Sequence, residues 1–265
     1  MPGADSMTRE HNDVSIAGSP HLAKVPAVTL GFWVIKIIAT TLGETGADLF
    51  TQQYAMGYLA GIALFTLPLL VLVIAQMRAH RFHPLLYWAA ILASTTAGTA
   101  LADFFDRSLG IGYVGGSAAL LACVGGSLLA WRLALGTVSV ASVHEPRAEG
   151  FYWLTITFSQ TLGTALGDWT ADETPLGYLG GAALFGALLA VLALLVWKSA
   201  VSRVALFWAA FVLTRPLGAT LGDFLDKPLA QGGLDLGRDA ATAVLVAAMA
   251  LCLWRIPQRP LGAGA

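Results

Sequence analysis

The sequence predicts an all-α integral membrane protein: eight transmembrane helices from four parallel two-helix repeats, pseudo-symmetric about the membrane normal. Three observations carry this expectation. Of the 265 residues, 57% are hydrophobic and 12% are charged, about half the charged share of a soluble domain. A sixteen-residue pattern recurs four times without gaps. Each recurrence is followed by a second apolar run, three of which open on a shared Gly-Tyr.

The four copies read WVIKIIATTLGETGAD (Trp33 to Asp48), WAAILASTTAGTALAD (Trp88 to Asp103), WLTITFSQTLGTALGD (Trp153 to Asp168) and WAAFVLTRPLGATLGD (Trp208 to Asp223). Each holds Trp, Gly ten residues on, a small residue at fourteen and Asp at fifteen. The second runs open on MGYLAG (Met56 to Gly61), IGYVGG (Ile111 to Gly116) and LGYLGG (Leu176 to Gly181); the fourth has degenerated to QGGLDL (Gln231 to Leu236). One helix per run gives spans near 27–49, 56–77, 84–105, 111–132, 151–170, 176–197, 203–225 and 235–255, each about 20 residues as a bilayer requires. Within each half the aspartates lie 55 residues apart, and the halves are offset by 120. The expected organisation is a disordered cytoplasmic tail (1–26), repeats 1 and 2 (27–132), a cytoplasmic linker (133–150), repeats 3 and 4 (151–255) and a second cytoplasmic tail (256–265).

This pattern of Trp, Gly and Asp resembles a family of bacterial membrane proteins that carry four tandem copies of a two-helix repeat of unknown function, each with a characteristic tryptophan. The match covers nearly the whole chain after residue 27. It implies an eight-helix inner-membrane protein and brings no activity with it.

Charge sets the orientation. The joins between units hold Arg78, Arg81, Arg132, Arg147, Lys198 and Arg203, and the tails add Arg9, Lys24, Arg255 and Arg259. Loops inside units hold only Arg107 and Lys227, with Arg238 just inside the last helix. Positive residues mark the cytoplasmic side, so both termini are expected inside, at the bacterial inner membrane. Trp33, Trp88, Trp131, Trp153, Trp197, Trp208 and Trp254 fall near the inner helix ends and read as an interfacial belt. Because every repeat has an even number of spans, all four point the same way.

Within each odd helix, small residues four apart (Gly43 and Ala47, Gly98 and Ala102, Gly163 and Gly167, Gly218 and Gly222) permit close helix approach. Polar residues step by four along the same helices: Lys36, Thr40, Glu44, Asp48; Thr95, Thr99, Asp103; Gln160, Thr164, Asp168; Arg215, Ala219, Asp223. Polar groups are costly against lipid, so the stripes should face one another on a polar axis. The apolar even helices would form the lipid-facing shell. Asp48, Asp103, Asp168 and Asp223 read either as structural groups, capping the outer ends or hydrogen-bonding in the interhelical loops, or, with Glu44, as metal ligands. Glu44 and Arg215 are expected to pair on the axis. Lys36, with no acid at its depth, should snorkel or sit in a wet cavity. Pro216 should break the seventh helix locally.

The leading functional expectation is transport of a small cation, for which Asp, Glu and Thr oxygens suit a hard ion such as Mn²⁺. The ion pathway would comprise Lys36, Thr40, Glu44, Thr95, Thr99, Gln160, Thr164 and Arg215. The histidines (His11, His21, His80, His83, His144) all lie in tails or inner loops, which argues against zinc, copper or haem. Cys123 and Cys252 lie in apolar runs and read as buried small hydrophobes. The alternatives are a carrier or exporter of a small anionic or organic solute held by Lys36 and Arg215, and a non-transporting scaffold or sensor. No dyad, nucleophile motif or phosphate loop at membrane depth points to an enzyme. No cofactor is expected beyond a bound divalent cation. The expected partners are the lipid bilayer and a small ion or solute. A net charge of −1 and no basic stripe argue against nucleic acid, and nothing sets the oligomeric state.

Overall fold

The computed structural model describes residues 22–262. Among them it has eight α-helices and no strand: α1 (Leu30–Asp48), α2 (Tyr58–Arg78), α3 (Pro84–Asp103), α4 (Tyr113–Leu135), α5 (Pro146–Asp172), α6 (Gly177–Lys198), α7 (Arg203–Asp226) and α8 (Arg238–Arg255). Short π-helical turns extend α1 through Leu49–Gln53 and α3 through Phe104–Ser108. The second helix of each unit opens on a glycine in the left-handed region: Gly57 (φ 76°), Gly112 (φ 77°), Gly177 (φ 61°) and Gly237 (φ 75°). That conformation is why Gly precedes Tyr in the first three units. The fourth, degenerate in its motif, recovers the same device at Gly237.

Eight spans were expected, and five helices are long and apolar enough to cross a membrane: α2, α3 with its π turn, α4, α6 and α7. The other three carry Lys36, Glu44 and Asp48 on α1; Arg147, Glu149, Asp168 and Asp172 on α5; and Arg238, Asp239 and Arg255 on α8, but α7 carries four charges as well, so charge number alone does not separate them. On α1 and α5 most of these charges are buried within the bundle.

The odd helices form a closed ring, α1 against α3, α3 against α5, α5 against α7 and α7 against α1. Each even helix packs on the odd helix of the following unit: α2 on α3, α4 on α5, α6 on α7 and α8 on α1. The ring closes on the motif glycines. A Cβ on Gly43 would overlap Thr95, one on Gly98 would lie 2.9 Å from Gln160 Cβ, one on Gly163 would overlap Arg215, and one on Gly218 would lie 2.6 Å from Thr40 Cβ. Each glycine thus meets the residue eight before the aspartate of the next helix round, as small-residue packing requires. α7 passes unbroken through Pro216, contrary to the expected break. The ring Cδ of Pro216 instead packs at the glycine contact, 3.0 Å from where a Gly163 Cβ would stand.

The even helices present their apolar side chains outward. Leu67, Val71, Leu121, Leu129, Leu179 and Leu194 are all more than half exposed. An apolar surface this continuous is unstable in water and matches a bilayer. Cys123 lies exposed on this outer face and Cys252 is half-buried; both are free thiols, so the expected burial holds for neither.

The tryptophans depart from the expected belt. Trp88 and Trp131 are fully buried, and Trp153 and Trp208 nearly so. With Phe32, Tyr87, Tyr152, Phe207 and Phe211 they form an aromatic cluster that fills one end of the ring. Trp197 and Trp254 are exposed as a belt requires, and Trp33 is half-buried. Helix rotation decides which face inward: Trp88, Trp153 and Trp208 on odd helices and Trp131 on α4 turn toward the cluster, where Trp88 Nε1 donates to Gln258 Oε1 (3.0 Å) and Trp208 Nε1 to the Val138 carbonyl (2.8 Å). A buried indole usually finds such a partner; Trp131 Nε1 is buried without one.

The tails take part in this closure. Residues 22–26, expected as the end of a disordered tail, are packed: Lys24 Nζ lies 2.6 Å from Glu149 Oε1 and donates to the Met77 carbonyl (3.0 Å). Val25 is fully buried, and Leu261 N donates to its carbonyl (2.9 Å). Residues 1–21, with Arg9, His11 and His21, lie outside the described residues.

Within the aromatic cluster the Tyr87 and Tyr152 hydroxyls share one hydrogen bond of 2.6 Å, both fully buried. Tyr87→Phe leaves the Tyr152 hydroxyl unpaired and should cost about 1–3 kcal/mol, whereas the double change to Phe should recover most of it. Thermal unfolding in detergent of the single and double variants checks this.

Candidate functional site

Every residue of the four polar stripes is buried, between 0% and 6% exposed. The stripes face one another because each odd helix turns its glycine face to a neighbour, which carries the adjacent polar positions inward.

Arg215 lies at the centre. From α7 its guanidinium reaches the other three odd helices: its Nη2 lies 2.7 Å from Glu44 Oε2, 2.5 Å from Thr99 Oγ1 and 2.6 Å from Thr164 Oγ1. Its Nη1 donates to the Thr40 carbonyl (3.2 Å). Thr99 Oγ1 also donates to Glu44 Oε2 (3.3 Å). The expected pairing of Glu44 with Arg215 is present, as a charge-assisted hydrogen bond.

Toward the aromatic end, Lys36 is fully buried. Its Nζ donates to Thr214 Oγ1 (3.3 Å) and lies 4.0 Å from the centroid of the Phe211 ring. It does not snorkel, and no carboxylate lies within ion-pair distance of it among the described residues. Gln160 Nε2 lies 3.4 Å from Ser94 Oγ, while its Oε1 has no partner. Thr40 and Thr95 sit at the glycine contacts and hydrogen-bond backbone carbonyls of neighbouring helices, Thr214 (3.2 Å) and Ala39 (3.3 Å). These two threonines serve ring closure first.

The four aspartates do not cap helix ends. The chain stays helical beyond each of them. They are instead joined in two pairs by bases from the segments that follow α3 and α7, the loop bonding of the other structural expectation. Arg107 bridges Asp103 (3.3 Å) and Asp168 (3.3 Å); Lys227 bridges Asp48 (3.2 Å) and Asp223 (3.1 Å). Arg238 adds contacts to Asp48 (3.6 Å) and Asp226 (3.3 Å). Burial disfavours the Lys227 ammonium, but the carboxylates of Asp223, Asp48 and Asp226 outweigh that and hold its pKa above the ordinary lysine value.

The five proposed metal ligands therefore do not form one group. Glu44, Asp48 and Asp223 each offer an oxygen within 4.8 Å of the others. Asp103 and Asp168 lie across the Arg107 bridge. One oxygen each of Asp48, Asp103 and Asp168 is buried without a hydrogen-bond partner. Beside this cluster a polar cavity of about 500 Å³ is lined by Gln52, Tyr178, Asp223, Asp226, Lys227 and Arg238, among others.

Arg107, Lys227, Asp106 and Asp226 were not among the expected site residues. A signal for them is present in the sequence, since DFFDR (Asp103 to Arg107) and DFLDK (Asp223 to Lys227) recur 120 residues apart. The base four residues after the aspartate returns to the same helix face, and this is absent from the first and third copies.

No curated protein and no solved structure matches the chain. A family model described as "Repeat of Unknown Function (DUF347)" matches four times, over residues 31–82, 86–137, 151–202 and 206–259. Each match begins two residues before a motif tryptophan and spans one odd helix and the even helix after it. Four tandem copies covering most of the sequence place it plainly: the chain belongs to the DUF347 repeat family.

Proposed function

We propose that the protein carries a small hard cation, such as Mn²⁺, through the axis lined by α1, α3, α5 and α7. The observation that supports this is a charge imbalance. Seven buried carboxyl groups (Glu44, Asp48, Asp103, Asp106, Asp168, Asp223 and Asp226) lie on or beside the axis with five bases (Lys36, Arg107, Arg215, Lys227 and Arg238). Buried like charges cannot stay ionised without compensation, so the excess calls for protons or a bound cation. The donors are all oxygen, which suits a hard ion. The cation reading is favoured over an anionic solute because protein acceptors already engage both terminal nitrogens of Arg215.

In this reading all eight helices cross the inner membrane of a bacterium, and the four repeats stand parallel about the membrane normal. The bases at the tryptophan end put that end and both termini in the cytoplasm. The charges of α1 and α5 are tolerable there because the surrounding helices shield them from lipid. Glu44 holds Arg215 at rest and releases it to a cation arriving from the aspartate end. The chemistry is transport and not catalysis.

Purified protein in proteoliposomes should carry Mn²⁺ above the rate of empty vesicles, and Asp48→Asn combined with Asp223→Asn should reduce that flux at least about tenfold, as expected when charged first contacts to the ion are lost. Undiminished metal flux in the double variant, or flux of an anionic solute alone, would overturn the reading.

A further inference from the structure

The two base bridges are not equivalent, and the difference points to a ligand. Arg107 spans two carboxylates with a planar fork, and the residue one turn before Asp103 is Thr99. Lys227 spans Asp48 and Asp223, and the residue one turn before Asp48 is Glu44, the only acid at that position in the four repeats. Arg107 also reaches the exposed Asp172 (3.8 Å), but among the described residues only the lysine bridge joins three buried carboxylates whose oxygens come within reach of one ion. All three acids are buried, and their nearest oxygens lie within 4.8 Å of one another. Hard cations bind oxygen at about 2.0–2.6 Å, so oxygens on one ion lie up to about 4–5 Å apart. Asp48 is 2% exposed, yet its Oδ1 has no hydrogen-bond partner, so this carboxylate keeps coordinating capacity unused.

We infer that the Lys227 ammonium is a tethered occupant of a divalent-cation site made by Glu44, Asp48 and Asp223, and that the metal binds by displacing it. An ammonium is a compact point charge on a flexible stem and exchanges for an ion, whereas a guanidinium fork is a fixed clamp. Lys227 lines the 500 Å³ polar cavity, so its side chain has room to withdraw. Arg107 then remains as a permanent tie between α3 and α5. The inference names the binding site of the proposed carrier and rests on that reading for its role in transport.

The test is Mn²⁺ binding to the full-length protein in detergent at neutral pH, followed by the paramagnetic signal of free Mn²⁺. Lys227→Met should bind at least about tenfold tighter than wild type, the low end for removing one close charge contact. Lys227→Arg should bind no tighter than wild type, and Asp48→Asn in the Lys227→Met background should abolish the gain. A second measurement needs no variant. Acylation of Lys227 in the wild type, followed by peptide mass, should rise as Mn²⁺ is added. A folded Lys227→Met protein with unchanged affinity, or Lys227 labelling indifferent to Mn²⁺, overturns the inference. Should Lys227→Met fail to fold, the labelling decides. Transport is scored separately. Flux by the wild type without a gain in Lys227→Met sinks this inference alone, and a gain without wild-type flux sinks only the carrier reading.

Discussion

Arg215→Gln should destabilise the protein by about 3–5 kcal/mol, the cost of removing one partner from a buried ion pair and leaving the other charge stranded. Glu44 is 3% exposed, and its remaining donor, Thr99, is neutral. Glu44→Gln should cost a similar amount for the converse reason, since Arg215 is fully buried. Joining both changes removes both charges, so stability should recover toward wild type. Flux should not recover, because the double variant lacks the carboxylate that alternates between Arg215 and the ion. Thermal unfolding in detergent and Mn²⁺ flux in vesicles, measured on all three variants, separate the two roles. Normal transport by the double variant would reduce the pair to a structural bridge.

The glycines carry the second large effect. A Cβ on Gly218 would stand 2.8 Å from the Thr40 backbone carbon, and one on Gly98 would stand 3.0 Å from the backbone nitrogen of Thr161. Backbone cannot swing aside as a side chain can, so each Gly→Ala change must push two helices apart. Overpacking of this kind costs about 1–3 kcal/mol per site. The two sites lie on opposite sides of the ring, between α7 and α1 and between α3 and α5, so their costs should add to about 2–6 kcal/mol in the double variant. Gly125→Ala on α4 is the control, because nothing lies within 4 Å of its Cβ. There the helix gains from losing a glycine, and stability should hold or rise slightly. Equal behaviour of Gly125→Ala and Gly218→Ala would mean that the glycines do not set the ring.

How much of this was legible beforehand can be argued from particular residues. The repeats, the inward polar stripes and the small-residue contacts all follow from a fixed spacing on an ideal helix, which a sequence displays directly. Glu44 and Arg215 could be paired because the repeat alignment places them one turn apart, about 6 Å in depth, on stripes that share an axis, a gap that a long Arg side chain spans. The even helices could be assigned to the shell because they are almost purely apolar, with a few small or terminal polar residues such as Ser117 and Ser127 on α4.

Other features depended on which helix neighbours which. Nothing in a local period says that α7 closes on α1, so nothing says that Lys227 reaches Asp48, 179 residues away. The same holds for Arg107 and Asp168, which meet only because α3 and α5 are adjacent in the ring. The tryptophans carry the other lesson. At a helix end, a residue facing lipid and one facing the bundle have the same depth and the same sequence context. Which of the two applies depends on the rotation of the helix against its neighbours. Tertiary packing turned Trp88, Trp131, Trp153 and Trp208 inward and left Trp197 and Trp254 outside. The sequence by itself therefore determined the helices, their repetition and their polar faces, because those are properties of single helices. Tertiary structure alone decided the cyclic order, and with it the charge bridges and the aromatic plug, because these are properties of pairs of helices distant along the chain.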